Sequence, residues 1–517
     1  MISENIAKLA DTLVKKGIKY AFGIAGSGSS LELITALEER GVPYQPVSHE
    51  AAAVFMAGAC SRDGKTNAVA ITIKGPGFAN TVPGTLSNFY ENRPALTASE
   101  AYGPGVPLFR AHKRMDHKSV ISTIVKGFYS GSEPEGVEAL LDSASSEVPK
   151  PVHIDLHNEP GKSELFIKEE KYSDESDLAK IKELINASKN PAIVLGSLAV
   201  RKLRNVDWGK IGVPVFTTAA GKGSIDENGP NAGGIITGEI KDLSPEATIL
   251  TNADLIVSFG LRYAEVIVAA PFKAPLVNID AAGGLADGFS PTINFVTSDP
   301  DSAASELIPI LFKKKWGEDA ITSARVELEK ELFSDPWLPA TLFRNFQKMF
   351  PDAALVLDTG FFCTVGETVW RARSPEFFLG SSVGRFMGSS IPTAIGFAIS
   401  SDKRILSVSG DGGIVPYFPE IKIAVEKKLP ILFLFMSDGG YGSVGLSGRA
   451  KGLSPRAFEF ESSWWRAAET LGCKGAAIGS EKEFNDVIAS WRKEAGPLFL
   501  ETKFDPKKYG DMAKRLR

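Results

Sequence analysis

Cysteine is scarce in this chain: Cys60, Cys363 and Cys473 are the three present in 517 residues, far apart and without a C-x-x-C pair. That usage suits a reduced compartment and leaves no cysteine-built metal site of that kind. Histidine is also sparse. His49, His112, His117, His153 and His157 all fall in the first third, so a histidine-rich metal centre is not expected. Neither sign of charge dominates: 58 Lys and Arg stand against 62 Asp and Glu, for a net charge of −4 and a pI of about 5.9. Nucleic acid and anionic membrane therefore find no general attraction. No apolar run approaches membrane-spanning length. The opening MISENIAKLADTLVKKGIKY is an amphipathic helix pattern with charges throughout, unlike a signal peptide. A soluble cytoplasmic protein, without nucleic-acid or membrane partners, is the expectation.

What is present is a globular composition, 43% apolar and 23% charged, in a chain long enough for about two to four domains. The pattern alternates between helical and strand periods. A helix over 6–16, a strand over 20–24, a helix over 31–40, a strand over 44–47, a small-residue helix over 51–61 and a strand over 68–73 predict a parallel sheet covered on both faces. Ligand-bearing residues then belong at the strand C-termini.

The stretch RILSVSGDGGIVPYFPEIKIAVEKKLPILFLFMSDGGYG, 404–442, is the one around which the chain is organised. An apolar run over 405–408 ends in Gly410, Asp411, Gly412 and Gly413, a helical pattern follows over 417–428, and a second run over 431–436 delivers Ser437, Asp438, Gly439 and Gly440. Two neighbouring parallel strands would each present a carboxylate flanked by glycines. Bare glycines let the backbone approach a diphosphate, the helix start offers free N–H groups, and a carboxylate can hold magnesium against phosphate oxygens. From these residues alone, a glycine-rich turn in an ordinary doubly wound sheet remains the alternative.

This stretch resembles the cofactor motif of the thiamine diphosphate enzymes, GDG followed about two dozen residues later by Asn-Asn. Ser437-Asp438 stands here in place of Asn-Asn. FGIAGSGSS, VSHEAAAVFMAGA and ITIKGPGFAN resemble the pyrimidine-binding domain of the acetolactate synthase, pyruvate oxidase and benzoylformate decarboxylase group, and SSVGRFMGSSIPTAIGFAIS is similar to its GxMGxxxPAAIGA segment. The resemblance implies an α/β fold of three doubly wound parallel-sheet domains. These are a pyrimidine-binding domain over 1–165, a central domain over 178–312 and a diphosphate- and magnesium-binding domain over 338–517, with linkers over 161–177 and 313–337.

It implies roles as well. Asp411, Asp438 and the carbonyl of Gly440 would ligate magnesium, and the aspartate in place of asparagine adds negative charge that changes the pH dependence of metal binding. Gly410, Gly412, Gly413 and Tyr441 would lie along the cofactor, Met387 would wedge between its rings, and Asn80 would face the pyrimidine. The carboxyl of Glu50 would favour the imino tautomer of the 4′-amino group, which takes the proton from C2. Ser27, Lys74, His112, Lys113 and Val444 fall on the substrate side. Convergence of Lys74, His112 and Lys113 would suit a 2-oxo acid with a second anionic group. Phe361 and Phe362 stand where relatives often carry polar residues at the diphosphate.

The implied chemistry is attack of a C2 ylide on a 2-oxo acid, loss of carbon dioxide to an enamine, then protonation or addition to a second carbonyl. Val444 occupies the place of a proton-donating Glu in pyruvate decarboxylase, which favours carboligation, and the acceptor-selecting Trp-Gln of acetolactate synthase is missing from GSVGLSGRAKG. An acetolactate synthase-like decarboxylase or carboligase is expected. The rivals are a simple decarboxylase of an anionic 2-oxo acid, such as sulfopyruvate or phosphonopyruvate, and a non-catalytic scaffold or regulatory homologue. A homodimer or dimer of dimers with sites between subunits is the implied assembly. FAD is possible in the central domain of this group, but no GxGxxG follows a strand there.

Overall fold

Short apolar runs that end at glycine or a small polar residue form the strands of three sheets in the computed structural model, which describes residues 2–103, 106–131, 133–157, 163–168, 178–238 and 244–516. Strands buried on both faces need no polar alternation. Ala68–Thr72, Pro191–Leu195, Leu255–Phe259 and Ile431–Ser437 are accordingly buried along their whole lengths.

The first sheet runs Tyr44–Pro46, Tyr20–Ile24, Ala68–Thr72, Leu96–Glu100, Val152–Leu156 and Gly127–Ser130 in parallel, and Glu164–Ile167 closes its edge antiparallel. The second has six parallel strands in the order Ala232–Ile235, Val215–Thr217, Pro191–Leu195, Leu255–Phe259, Leu276–Asp280 and Ile293–Val296. The third has six parallel strands in the order Phe378–Gly380, Ala354–Leu357, Ile405–Gly410, Ile431–Ser437, Leu498–Lys503 and Lys474–Ile478. Pairing of Gly410 with Met436 brings the ends of the two central strands level.

Several local expectations change. The stretch over 313–337, linker-like in composition, contains the helix Glu318–Leu332, whose Ile321, Leu328 and Leu332 are buried. Charged residues dominate its composition, so the apolar face shows only as a spacing. The expected boundary at 165 falls inside the strand Glu164–Ile167, and 169–177 lies outside the described residues. The helical pattern over 417–428 begins as a 3-10 turn, Phe418–Glu420, before the α-helix Ile421–Glu426. The turn after Thr72 holds a short helix, Pro76–Ala79, with proline at its first position.

The outer domains meet through two helices, Glu50–Cys60 and Ser390–Ile399. Every residue of Glu50–Cys60 is buried. A Cβ on Gly396 would come within 2.5 Å of Met56 Cα, so only glycine permits this approach. Cys60 Sγ donates to the Gly396 carbonyl at 3.3 Å. The central domain is tied to the first by Arg201, paired with Glu147 at 2.8 Å, and to the third by Glu227, which accepts from Ala372 N at 2.7 Å. Among the described residues no helix is long and apolar enough to cross a membrane.

Candidate active site

At the C-terminal edge of the third sheet, Asp411 follows Ile405–Gly410 and Asp438 follows Ile431–Ser437. Asp411 is buried. Its Oδ1 accepts from Ser437 Oγ at 2.9 Å and its Oδ2 accepts from Asp438 N at 2.9 Å. Burial first, and then contact with the Asp411 carboxylate, hold the Asp438 carboxyl well above the ordinary carboxylate range. A Cβ on Gly442 would come within 2.0 Å of Asp438 Oδ2, so that carboxylate lies against the start of the helix Gly442–Ala450. Gly439 and Gly440 have φ of 80° and 145°, conformations that favour glycine.

Gly412 is bare for a local reason. An added Cβ would stand 2.3 Å from Met387 Sδ and 2.6 Å from Tyr441 Cε1. Met387 and Tyr441, 43% and 37% exposed, thus flank the same glycine. A Cβ on Gly413 would strike Asp358 Oδ2 at 2.3 Å. Asp358 is an acid that motif reading did not single out. It is buried, accepts from Gly388 N at 2.8 Å, and is pushed up to about 7 by burial. Phe362 is buried beside Gly360 and Gly410, where the helix Phe361–Val369 begins. Tyr509 of the helix Pro506–Leu516 packs edge-on against Phe361 at 5.9 Å. Val444 is more than half exposed.

On the first sheet, Glu50 opens its helix, capped by His49, whose Nδ1 accepts from Ala51 N at 3.1 Å. Asn80 Nδ2 donates to Glu50 Oε2 at 2.9 Å. Gly77, without a side chain, leaves room beside Glu50 Oε1.

The substrate-side residues separate. Lys74 neither reaches freely for an anion nor extends to solvent, because it pairs with Glu100 at 2.8 Å. Glu100, also missed by motif reading, is buried and accepts from Ser30 Oγ at 2.6 Å and Gly28 N at 3.1 Å. Lysine 74 and Lys113 line a common cavity of about 690 Å³ together with Arg114. His112 is exposed and outside that lining, and Ser27 is exposed.

Profiles of the thiamine pyrophosphate enzyme domains match the chain in order: the N-terminal TPP-binding domain over 6–101, the central domain over 178–301 and the C-terminal TPP-binding domain over 358–502. The chain belongs to the thiamine pyrophosphate enzymes. Its relatives include a probable acetolactate synthase large subunit of Methanococcus aeolicus, 23% identical across 95% of this chain and 90% of that protein. The acetolactate synthase of Bacillus subtilis is 23% identical across 98% and 96%. A probable 2-ketoarginine decarboxylase of Pseudomonas aeruginosa is 23% identical across 87% and 86%.

The residues present fit the diphosphate and its cation: paired carboxylates supply hard oxygen donors, and the bare Gly412 sits between two side chains that can flank a ring. At the strand ends of the central sheet, the backbone donors of one helix start are already taken by protein groups. Glu265 Oε2 already accepts from Ser197 N at 3.0 Å and Thr218 Oγ1 at 2.7 Å at the start of the helix Ser197–Lys202. Beside it Arg262 is bound to Asp280 through two hydrogen bonds of 3.0 and 2.8 Å. A Cβ on Gly196 would come within 1.7 Å of the Gly260 carbonyl oxygen, so the two strand ends approach through bare glycine backbone.

Proposed function

We propose that this chain is an acetolactate synthase-like enzyme that decarboxylates a 2-oxo acid and joins the product to a second carbonyl compound. The observation that carries the reading is the turn in which Asp411, Asp438 and the bare Gly412 meet, with Met387 and Tyr441 on either side. Asp411, Asp438 and the Gly440 carbonyl hold magnesium, while Gly410, Gly412 and Gly413 admit the diphosphate. Met387 and Tyr441 bear on the rings. Bound thiamine diphosphate supplies the electron sink for decarboxylation. Glu50, oriented by the Asn80 amide, presents a buried carboxyl to the pyrimidine and holds a proton at its ring nitrogen.

Packing of Glu50–Cys60 excludes water from behind that carboxyl. Val444 contributes an aliphatic surface with no proton to give, which favours addition over protonation. Glu50 and Asp411 belong to different domains of the chain, and on this reading they stand on opposite sides of a site shared between the subunits of a homodimer, or of a dimer of such dimers. The named activities of the relatives, acetolactate synthesis and 2-ketoarginine decarboxylation, agree in acting on 2-oxo acids.

A second reading, simple decarboxylation of an anionic 2-oxo acid, draws support from Lys113 and Arg114 in the 690 Å³ cavity. Lys74 adds little to it, because Glu100 neutralises its charge. A screen of 2-oxo acids for carbon dioxide release, followed by product analysis with and without an aldehyde acceptor, separates the two. Ligation predicts a new hydroxy ketone. An aldehyde as sole product under both conditions rejects ligation. Calorimetry with thiamine diphosphate and magnesium tests the scaffold reading, which would be favoured by no binding at millimolar cofactor.

A further inference from the structure

Two buried or half-buried glutamates cross the interface between the outer domains in opposite directions. Glu420 belongs to the third domain, a few residues beyond the Asp411 turn, and is fully buried. Its Oε1 accepts from Ser48 N at 2.9 Å and His49 N at 3.0 Å, the residues immediately before Glu50. Tyr417, three residues earlier, sets its ring edge-on against His49 at 5.6 Å. Glu91 belongs to the first domain. Its Oε1 accepts from Val383 N at 3.0 Å and Gly384 N at 2.9 Å, and its Oε2 accepts from Ser382 N at 3.2 Å, in the loop that leads to Met387.

We propose that Glu420 and Glu91 are reciprocal positioning residues, each holding from the opposite domain the loop that carries a residue of the active site. Glu420 fixes the backbone before Glu50, and Glu91 fixes the backbone before Met387. This rests on the roles given above to Glu50 and Met387.

The energetics favour a geometric role. Neither carboxylate is hydrogen-bonded to a lysine or arginine among the described residues, although Arg93 and Arg385 attract Glu91 and Lys422 attracts Glu420 from farther away; both accept from backbone N–H groups. An interface held only for stability would be served as well by apolar packing, since taking a carboxylate out of water is costly. Burial pushes Glu420 up to about 7, the sign of that cost. What the carboxylate adds is direction: charge-assisted hydrogen bonds to consecutive N–H groups set both the position and the orientation of a loop.

The test compares Glu420→Gln, Glu91→Gln and a control, Cys60→Ala, which removes a contact at the same interface without touching either loop. Amide hydrogen exchange of the apo protein should quicken at Ser48 and His49 in Glu420→Gln and at residues 382–384 in Glu91→Gln. Displacement of a reacting group by an ångström can cost about a hundredfold, so kcat of Glu420→Gln should fall about ten- to a hundredfold with cofactor affinity kept. Glu91→Gln should weaken thiamine diphosphate binding, read by calorimetry, about tenfold. Cys60→Ala should change none of these.

Unchanged exchange, or quickened exchange with wild-type kcat in the first variant and wild-type cofactor affinity in the second, overturns the proposal. If Glu420→Gln does not fold, Glu420→Asp, which withdraws the charge by one methylene, is read in its place against the same outcomes. An inactive Glu50→Gln beside a fully active Glu420→Gln overturns the positioning role alone. Wild-type turnover by Glu50→Gln instead overturns the underlying reading of the site, and the positioning role with it.

Discussion

Asp438 gives its backbone N–H to Asp411 Oδ2 at 2.9 Å, while its own carboxyl is kept protonated to unusually high pH by burial and by that same neighbour. A divalent cation between the two carboxylates would relieve both effects, but only after Asp438 has lost its proton. Magnesium affinity should therefore rise with pH between about 6 and 8, where an ordinary carboxylate would already be ionised. Asp438→Asn removes the titrating group, keeps an oxygen donor, and should flatten that dependence. Calorimetric titration with magnesium and thiamine diphosphate across this range checks it, and parallel curves for the two proteins would contradict it.

Glu50→Gln keeps the size and the Asn80 contact of the side chain but cannot hold the proton in the same way. Turnover should fall by about 10²–10⁴-fold, the usual span for a lost general acid or base. Cofactor affinity should stay close to that of the wild type, because Asp411 and the glycine turn lie on another sheet. Steady-state kinetics beside calorimetry reads both.

Gly396→Ala places a methyl 2.5 Å from Met56 Cα and 2.6 Å from its carbonyl oxygen. Both are backbone atoms of a fully buried helix and cannot swing aside. A loss of about 1–3 kcal/mol is expected from such overpacking. Denaturant unfolding measures it, and a midpoint equal to that of the wild type would show that the two helices can separate without cost.

The contribution of two buried carboxyls to the stability of the apo protein should decline as pH rises from about 4.5 to about 7, and level off above that. Asp358 and Glu420 are both raised to about 7 by burial, so the folded state binds more protons than the unfolded state in this window. Their stabilising contribution is complete below the unfolded values of 3.8 and 4.5 and is lost as pH rises to about 7. His153 acts oppositely, its pKa lowered by burial from 6.5, and so offsets part of the decline below that pH. Thermal unfolding at several pH values should show the decline, and Glu420→Gln should make it shallower.

Much of the architecture could be read from composition and spacing, because strands such as Ile431–Ser437 are buried on both faces and stay apolar throughout. The juxtaposition of Asp411 and Asp438 follows from the same fact, since adjacent parallel strands end level. The acids that tune the site were not legible. Glu100 meets Ser30 across 70 positions, and Glu420 meets Ser48 across 372; local pattern carries no trace of either. For the same reason the basic character of Lys74 was visible and its neutralising partner was not. The helix Glu318–Leu332 escaped because its charged face outweighs its apolar one in any count of residues.

The helix that begins at Glu50 is built almost wholly from alanine, glycine and a few apolar side chains, with no surface left free. Directed evolution toward new substrates would gain little from randomising 51–60, where nearly every replacement meets packed neighbours. Libraries are better spent on the exposed stretch 109–116 and on the face of Gly442–Ala450 around Val444, where a changed side chain can alter selectivity without first having to be accommodated by the scaffold.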